Sequence, residues 1–307
     1  MNIHHLLRIA DLSQLQFSSL LDKAQSFCTS ALTGTQHRDV LAGKTVCTLF
    51  FEPSTRTRSS FQLAATRLGA DVLNFDAQSS SGSKGETAID TMRNLEAMGV
   101  DCFVVRTSVD GELQALADAA KPSTHFINAG DGRSNHPTQA LLDMLSIRQH
   151  KGADFSARKV LMVGDILHSR VARSDLQALK LLGIGEIRVC GPDALLPSDG
   201  TLSACKRFAD LNEAVKDVDV IMMLRLQHER MRDGLVSSLE SYSAEYGLNA
   251  KRLALAKPDA IVMHPGPMNR GVEISSDVAD GSQSLILEQV SNGVAVRMAV
   301  LQAVFGQ

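Results

Sequence analysis

The sequence lacks cysteine pairs, an excess of basic charge and long apolar runs, and each absence excludes a class of protein. Its five cysteines are scattered, without the close pairs that a zinc site or a redox motif needs. The formal net charge of -3 gives no bulk reason to bind nucleic acid or an anionic membrane. No segment reaches the length of a membrane span, and the first residues lack a signal-peptide pattern. We therefore expect a cytoplasmic chain without a nucleic-acid or membrane partner.

The sequence does contain enough apolar residues for two ordinary cores. Of its 307 residues, 44% are hydrophobic and 21% are charged, which is typical of soluble globular proteins. This length suits two domains of about 150 residues each. Cys47, Cys102 and Cys190 lie inside apolar runs, so we expect them to be buried as small hydrophobic side chains.

Short apolar runs alternate with helical stretches along the chain. Four strand-like runs occupy residues 45–51, 71–75, 101–107 and 124–130, and four more begin at residues 159, 186, 219 and 260. Strands that are apolar on both faces and separated by crossover helices indicate parallel sheets covered on both sides. We predict an α/β fold with two doubly wound parallel-sheet domains.

The predicted domain boundary lies in or beside a helical stretch that begins at Pro137. Residues 1–136 would form the first domain, residues 137–150 a connecting helix and residues 151–289 the second domain. The last stretch, residues 290–307, has helical character and is predicted to dock back on the first domain.

The segment FFEPSTRTRSSFQL, residues 50–63, runs from a strand through a proline into hydroxyl and arginine side chains. Ser54 is a good N-cap, so the N–H groups and positive dipole end of a helix would favour an anion here, beyond the carboxyl end of a strand. Arg56 and Arg58 point about 200° apart on a helix, and we assign Arg56 to the ligand. When only these residues are considered, a capped surface helix with solvated arginines remains an alternative to a binding site. The ligand that fits the hydroxyl and guanidinium groups is a phosphate.

Seven motifs are spread in order over most of the chain: FFEPSTRTRSSFQLAATRLGA, SSGSKGET, VVRTS, HPTQALLD, GDILHSRVARS, RLQHER and MHPGPMNRGVEI. Together they resemble the catalytic chains of the aspartate transcarbamoylase (aspartate carbamoyltransferase) family. The resemblance implies the transcarbamoylase fold. It also implies transfer of the carbamoyl group from carbamoyl phosphate to the amine of L-aspartate, a step of pyrimidine biosynthesis.

By this resemblance, carbamoyl phosphate is bound by residues of several motifs: Ser54, Thr55, Arg56, Thr57, Ser80, Lys84, Arg106, His136, Gln139, Gly266 and Pro267. Arg106 would reach the phosphate and the carbonyl oxygen. His136 would donate to the carbamoyl oxygen, and Gln139 would accept from the carbamoyl NH2 group. Gly266 and Pro267 would contribute backbone carbonyls, with a cis bond before the proline.

The resemblance assigns the second substrate, aspartate, to another group of side chains. Arg170 would bind its α-carboxylate, and Arg225 with Gln227 would bind its side-chain carboxylate. Lys84 would serve both substrates.

The catalytic residues implied are Arg56, Thr57, Lys84, Arg106 and His136. No nucleophile, metal or cofactor is expected, because the aspartate amine attacks the carbonyl carbon directly. Thr57, Arg106 and His136 would donate to the developing oxyanion, and the departing phosphate would take the amine proton.

The stretch SSSGSK, residues 79–84, reads from composition alone as a mobile surface loop. In the family this loop enters the pocket of a neighbouring subunit, carrying Ser80 and Lys84. The resemblance therefore implies a homotrimer with shared active sites.

Two alternatives stay open. Another transcarbamoylase such as ornithine transcarbamoylase has a similar pattern, although its usual H-C-L-P motif is replaced here by H-P-G-P and its S-M-G loop is missing. A non-catalytic subunit of the same fold is the second alternative. Different relatives in the family join regulatory or dihydroorotase-like partner chains, and the resemblance leaves both kinds of partner open.

Overall fold

The structure is a computed structural model that describes residues 3–76, 86–226 and 238–306. The chain divides into two units, Met1–Leu145 with Val290–Gln307, and Ser146–Gln289. Both changes from one unit to the other fall inside helices, α5 (Pro137–Lys151) and α11 (Ile286–Val304).

The first unit is built on a four-stranded parallel sheet in the order β2-β1-β3-β4. Its strands are β1 (Thr45–Phe50), β2 (Asp71–Asp76), β3 (Cys102–Thr107) and β4 (His125–Asp131). Helix α1 (Gln14–Thr33) precedes the sheet, and α2 (Thr55–Arg67), α3 (Ala88–Ala97) and α4 (Glu112–Ala119) connect its strands. Most residues of β1, β3 and β4 are buried, which explains their continuous apolar runs. The four strands predicted here are confirmed to within one residue at each end.

The second unit has a five-stranded parallel sheet in the order β7-β6-β5-β8-β9. Its strands are β5 (Lys159–Val163), β6 (Glu186–Cys190), β7 (Lys206–Phe208), β8 (Val220–Met223) and β9 (Ile261–Met263). The described helices are α6 (Arg170–Leu181), α7 (Leu211–Val215), α8 (Leu239–Tyr246), α9 (Ala250–Leu253) and α10 (Ser276–Ala279).

The sequence predicts four of these five strands and misses β7. That edge strand has three residues, of which Lys206 and Arg207 are exposed, so it gives no apolar run to detect. The predicted fold class, parallel sheets flanked by helices, is confirmed for both units.

Three of the cysteines are structural, as predicted. Cys47, Cys102 and Cys190 are buried in strands and form no disulfide. Burial raises the pKa of Cys47 and of Cys190 to about 12, so both thiols stay protonated near neutral pH.

Among the helices that the structure describes, none has the length and apolar character needed to cross a membrane.

Candidate active site

In the first unit, three neighbouring strands end at the same edge of the sheet. β1 and β3 pair Phe50 with Arg106, and β3 and β4 pair Thr107 with Asp131. The turn into α2 follows β1, Arg106 lies near the end of β3, and His136 comes shortly after β4. Because the carboxyl ends of parallel strands meet at one edge, the structure brings these sequence-predicted groups to one side of the sheet.

Helix α2 begins at Thr55, directly after Ser54. Ser54 is the N-cap, with φ -160° and ψ 99°, and its side chain makes no capping hydrogen bond. The predicted cap position is confirmed, but the hydroxyl does not occupy the N–H groups of the first turn. Those N–H groups and the positive end of the helix dipole are what an anion at this edge would meet.

The two arginines of this turn have different environments. The Arg58 guanidinium lies 5.1 Å from the centre of the Phe50 ring, so packing holds it against the strand. Arg56 is exposed, and Thr57 between them is buried. Arg58 therefore contributes to packing, and the exposed Arg56 is the more accessible of the two to a ligand.

Arg106 is already held in place at the end of β3. Its Nη2 lies 2.6 Å from Oε1 of Glu52, and its Nη1 donates to the carbonyl oxygen of Ala129 at 3.1 Å. The two charged side chains are only 14% and 23% exposed, so their attraction is stronger than that of a surface pair. A phosphate that binds Arg106 would compete with Glu52 for the guanidinium. Sequence reasoning missed Glu52, whose signal was a carboxylate directly after the neighbouring strand.

Helix α5 begins at Pro137 and places Gln139 in its first turn, as predicted. His136 and Gln139 are both buried. Gln139 Nε2 donates to the two carboxylate oxygens of Asp143, at 3.1 and 3.2 Å. A carboxylate only accepts hydrogen bonds, so the NH2 end of the amide must face Asp143 and the carbonyl oxygen must face away. Gln139 Oε1 is therefore the atom left to accept from a ligand NH2 group.

Asp143 was missed by sequence reasoning. It lies four residues after Gln139, on the same face of α5, and that spacing was the available signal.

Arg297, on α11, is a buried cation of the first unit. Its guanidinium lies 5.0 Å from the centre of the Phe61 ring, and the residue is 4% exposed. Burial lowers the pKa of Arg297 most; the nearby charge of Asp143 opposes the shift and those of Arg56 and Arg106 add to it, so that the pKa is about 9. The positive charges of Arg56, Arg106 and Arg297 thus repel one another, and a bound dianion would reduce that repulsion. Sequence reasoning also missed Arg297, because its apolar surroundings indicate only a helix.

In the second unit, β5, β8 and β9 end side by side. β5 pairs Val163 with Met223 of β8, and Met222 pairs with Met263 of β9. The segments that follow these strands contain Arg170, Arg225 and Gly266, in that order. The structure therefore brings these three predicted residues to one edge of the second sheet.

The loop between β5 and α6 is held by its own polar residues. Asp165 Oδ1 accepts from the backbone N–H of His168 at 3.1 Å and lies 2.9 Å from Nδ1 of the same histidine. Ser169 caps α6 by accepting from the N–H of Ala172. Arg170 is consequently the first residue of α6 and is half-buried.

Arg225 lies just beyond β8. Leu224 and Leu226 on either side of it are each 1% exposed, whereas Arg225 itself is exposed. The buried leucines turn the guanidinium outward, where an anionic ligand can reach it.

The loop after β9 presents a fixed backbone. The bond between Gly266 and Pro267 is cis, as predicted, and Gly266 has φ +61°. The Gly266 N–H donates to Nδ1 of His264 at 2.7 Å, and the His264 N–H donates to Oε1 of Gln289 at 3.0 Å. This nitrogen of His264 therefore accepts, so its proton sits on Nε2 when the ring is neutral.

The sequence matches a known family over nearly its whole length. Residues 4–149 match "Aspartate/ornithine carbamoyltransferase, carbamoyl-P binding domain", and residues 156–304 match the "Asp/Orn binding domain" of the same enzymes. The chain belongs to the aspartate/ornithine carbamoyltransferase family.

Relatives of this carbamoyltransferase family member include both aspartate and ornithine enzymes. The chain is 62% identical over 305 residues to the aspartate carbamoyltransferase catalytic subunit of Stenotrophomonas maltophilia, covering 99% of this chain and 96% of the relative. An aspartate transcarbamoylase structure from Trypanosoma cruzi, in complex with carbamoyl phosphate and aspartate, has a TM-score of 0.86 at 31% identity, covering 98% and 97% of the two chains. Ornithine carbamoyltransferase from Pyrococcus furiosus also has a TM-score of 0.86 at 31% identity, covering 99% and 98%.

The equal TM-scores mean that the carbamoyltransferase fold alone does not select the amino-acid substrate. The higher sequence identity is to an aspartate enzyme, and the predicted resemblance to aspartate transcarbamoylase catalytic chains is confirmed.

Three predicted site residues, Ser80, Lys84 and Gln227, lie outside the described residues. Among residues 3–76, 86–226 and 238–306, no group of three or more His, Cys, Asp or Glu side chains is arranged to hold a metal ion.

Proposed function

We propose that this chain transfers the carbamoyl group of carbamoyl phosphate to the amine of L-aspartate, giving N-carbamoyl-L-aspartate and phosphate. The observation that supports this most is the set of cationic, hydroxyl and amide groups at the carboxyl edge of β1, β3 and β4. They occur in a chain that is 62% identical to an aspartate carbamoyltransferase catalytic subunit.

The charges of the substrates explain why so many cations are needed. At neutral pH the two substrates carry roughly four negative charges, two on the phosphate and one on each carboxylate. The whole chain has a formal net charge of -3, so attraction must come from local groups. We assign this role to Arg56, Lys84, Arg106, Arg170 and Arg225.

In this proposal the phosphate group lies at the start of α2. Ser54, Thr55, Arg56 and Thr57 hold it with hydroxyls, N–H groups and one guanidinium. Arg106 reaches the phosphate and the carbonyl oxygen from the neighbouring strand end. The pairing of Phe50 with Arg106 across β1 and β3 supports this shared contact.

The carbamoyl group is then fixed by its own polar atoms. His136 donates to the carbonyl oxygen, and Gln139 Oε1 accepts from the NH2 group. The contact of Gln139 Nε2 with Asp143 supports that orientation of the amide. Gly266 and Pro267 contribute backbone carbonyls.

Aspartate is assigned to the second group of cations. Arg170 binds the α-carboxylate, and Arg225 with Gln227 binds the side-chain carboxylate. A guanidinium and an amide that grip a second carboxylate would favour aspartate over the cationic side chain of ornithine.

The chemistry needs no covalent intermediate with the protein. The neutral amine attacks the carbonyl carbon, a C–N bond forms, and the C–O bond to phosphate breaks with both electrons leaving on phosphate. The departing phosphate takes the amine proton. Correct positioning of the two reactants is worth about 7 to 11 kcal/mol, and each donor to the oxyanion about 3 to 4 kcal/mol. Thr57, Arg106 and His136 are the donors in this scheme.

We further propose a homotrimer in which Ser80 and Lys84 of one chain complete the site of its neighbour. In mixed trimers of Arg56→Ala and Lys84→Ala chains, one site would contain neither substitution, so activity should partly return on mixing. No recovery in mixed trimers that native mass spectrometry shows to have formed would contradict shared sites.

An assay of the purified chain tests the proposed function. Carbamoyl phosphate is supplied with L-aspartate or with L-ornithine, and phosphate release is measured together with the mass of the product. We expect carbamoyl-aspartate and no citrulline. Faster reaction with ornithine would make the chain an ornithine enzyme, and reaction with neither amine would make it a non-catalytic subunit.

Regulatory or dihydroorotase-like partner chains, the place in pyrimidine biosynthesis and the cytoplasmic location stay predictions from the sequence.

A further inference from the structure

The segment that contains Arg225 follows the end of β8 and its hydrogen bonds to the neighbouring strand. β8 ends at Met223, and the last ladder bond runs from the N–H of Leu224 to the carbonyl oxygen of Val163, at 2.9 Å. The residues that follow need other partners for their backbone groups, because a buried unpaired N–H or C=O is unfavourable.

Glu273 and Asn269 supply those partners. The Leu226 N–H donates to Glu273 Oε1 at 2.7 Å, and Asn269 Nδ2 donates to the Leu226 carbonyl oxygen at 3.0 Å. Both backbone groups of Leu226 are thus bonded to side chains of the loop that follows β9. Because a carbonyl oxygen only accepts hydrogen bonds, the NH2 end of the Asn269 amide must face Leu226.

The two supporting side chains also hold each other. Asn269 Nδ2 donates to Glu273 Oε1 at 2.7 Å, and the Asn269 backbone N–H donates to Glu273 Oε2 at 2.7 Å. Glu273 is 0% exposed. Burial raises its pKa, and the N–H groups of Leu226 and Asn269 oppose that rise. Donors at both oxygens fit the ionised carboxylate.

The side chain of Leu226 is held by apolar contacts. It packs in a small apolar cluster with Leu195 and Tyr242, which are 0% and 2% exposed. With the Leu226 backbone bonded and its side chain packed, Arg225 is presented from a rigid base rather than from a free loop.

Stability alone does not explain why a carboxylate is buried at this position. Well-packed apolar side chains of similar volume often stabilise a protein equally or more. The placement of Glu273 beside the residue next to Arg225, in a loop that also contains Gly266 and Pro267, gives it a use beyond stability.

We propose that Glu273 and Asn269 are positioning residues that set the place of the Arg225 guanidinium for the side-chain carboxylate of the amino-acid substrate. This inference rests on the proposed function, since it assumes that Arg225 binds that carboxylate. Neither residue is assigned a contact with the reacting atoms in this proposal.

The test uses Asn269→Ala, because Asn269 is only half-buried and we expect its truncation to leave the fold intact. The matched control is Asn249→Ala in the same unit. Asn249 is exposed, and its Oδ1 accepts from the N–H of Arg252 at 3.0 Å at the start of α9. Each variant therefore loses an asparagine that bonds the backbone, but only one lies beside Arg225.

The KM for L-aspartate and kcat come from steady-state kinetics, the Kd for carbamoyl phosphate from calorimetry, and stability from urea unfolding. Loss of the Asn269 bonds should raise the KM for aspartate about tenfold, with kcat changed less than about threefold and the Kd for carbamoyl phosphate less than about twofold. Asn249→Ala should leave all three constants unchanged while losing a similar amount of stability.

Glu273→Gln gives a second, stronger perturbation. Its NH2 group would face an N–H donor in place of one carboxylate oxygen, so the KM for aspartate should rise further than in Asn269→Ala. The inference is overturned if the aspartate KM of Asn269→Ala stays within threefold of wild type, or if affinity for carbamoyl phosphate falls as much. Absence of aspartate transfer by the wild-type chain would instead overturn the proposed function.

Discussion

Replacement of Arg106 by alanine should separate the catalytic role of this side chain from its structural role. The substitution removes the ion pair with Glu52, of 2.6 Å, and the hydrogen bond to Ala129, of 3.1 Å. The pair is 14% and 23% exposed, so Glu52 can be partly hydrated after the loss. We expect a stability cost of about 1 to 2 kcal/mol, between that of a surface pair and that of a buried one.

The catalytic effect should be much larger. Loss of one donor to a developing oxyanion typically lowers kcat by about 10²- to 10³-fold, or about 3 to 4 kcal/mol of barrier. Arg106 is also assigned to the phosphate, so affinity for carbamoyl phosphate should fall as well. The change in the barrier therefore exceeds the change in folding stability by about twofold.

Arg188→Ala is the matched control. Arg188 Nε lies 2.5 Å from Glu186, the side chains are 11% and 17% exposed, and Nη1 donates to the carbonyl oxygens of Ala214 and Lys216 at 2.9 and 2.7 Å. It resembles Arg106 in burial and bonding but lies within β6, away from the carboxyl edge.

Urea unfolding and steady-state kinetics on both variants distinguish the catalytic role of Arg106 from its structural role. We expect similar losses of stability and a loss of kcat only in Arg106→Ala. A near-wild-type kcat in Arg106→Ala, or an equal loss of kcat in Arg188→Ala, would refute the reasoning.

Three further predictions concern stability. His5 accepts the N–H of Phe126 on Nδ1, and burial first, then the charges of neighbouring histidines, lowers the pKa of His5 to about 4, so neutral His5 stabilises the fold. The contribution of His5 to stability should therefore be fully present above pH 6.5, its ordinary pKa, and should be lost as the pH drops towards 4. The Tm of His5→Asn, whose amide oxygen accepts a hydrogen bond without titrating, should fall less over this range than the Tm of the wild type. Gly164→Ala should destabilise by about 2 kcal/mol or more, because Gly164 has φ +116° and a new Cβ would lie 2.7 Å from Tyr242 Oη. Gln139→Glu should be less stable than Gln139→Ala in urea, since it would face the carboxylate of Asp143 in a buried site.

Each of these predictions has a clear contrary result. An equal decline of the wild type and His5→Asn between pH 6.5 and 4 would contradict the histidine argument. For Gly164, the control is Gly152→Ala, which also has a positive φ but open space around the new Cβ; equal losses would show that the contact with Tyr242 is unimportant. A Gln139→Glu variant as stable as Gln139→Ala would mean that the two carboxylates do not repel.

Much of the fold could be predicted from the sequence because buried parallel strands are continuous apolar runs. The start of α2 after Ser54 and the cap of α6 at Ser169 can be predicted, because helix capping involves residues that are close together in the sequence. The strand β7 could not be predicted, because two of its three residues are charged and exposed.

The supporting residues of the site could not be predicted for a different reason. Glu52 meets Arg106 only because β1 and β3 are paired, and Glu273 meets Leu226 across 47 residues of chain. Such contacts depend on the tertiary fold: the place of Glu52 after a strand is visible in the sequence, but its pairing with Arg106 is not. Asp143 is the exception, since its helical spacing from Gln139 was visible in the sequence.

A crystal structure of the chain with N-(phosphonoacetyl)-L-aspartate tests the central claim most directly. The account predicts the phosphonate on the N–H groups and hydroxyls of residues 54–57 and on Arg106, with the two carboxylates on Arg170 and Arg225. A phosphonate bound away from the start of α2, or carboxylates that contact neither of those two arginines, would contradict it.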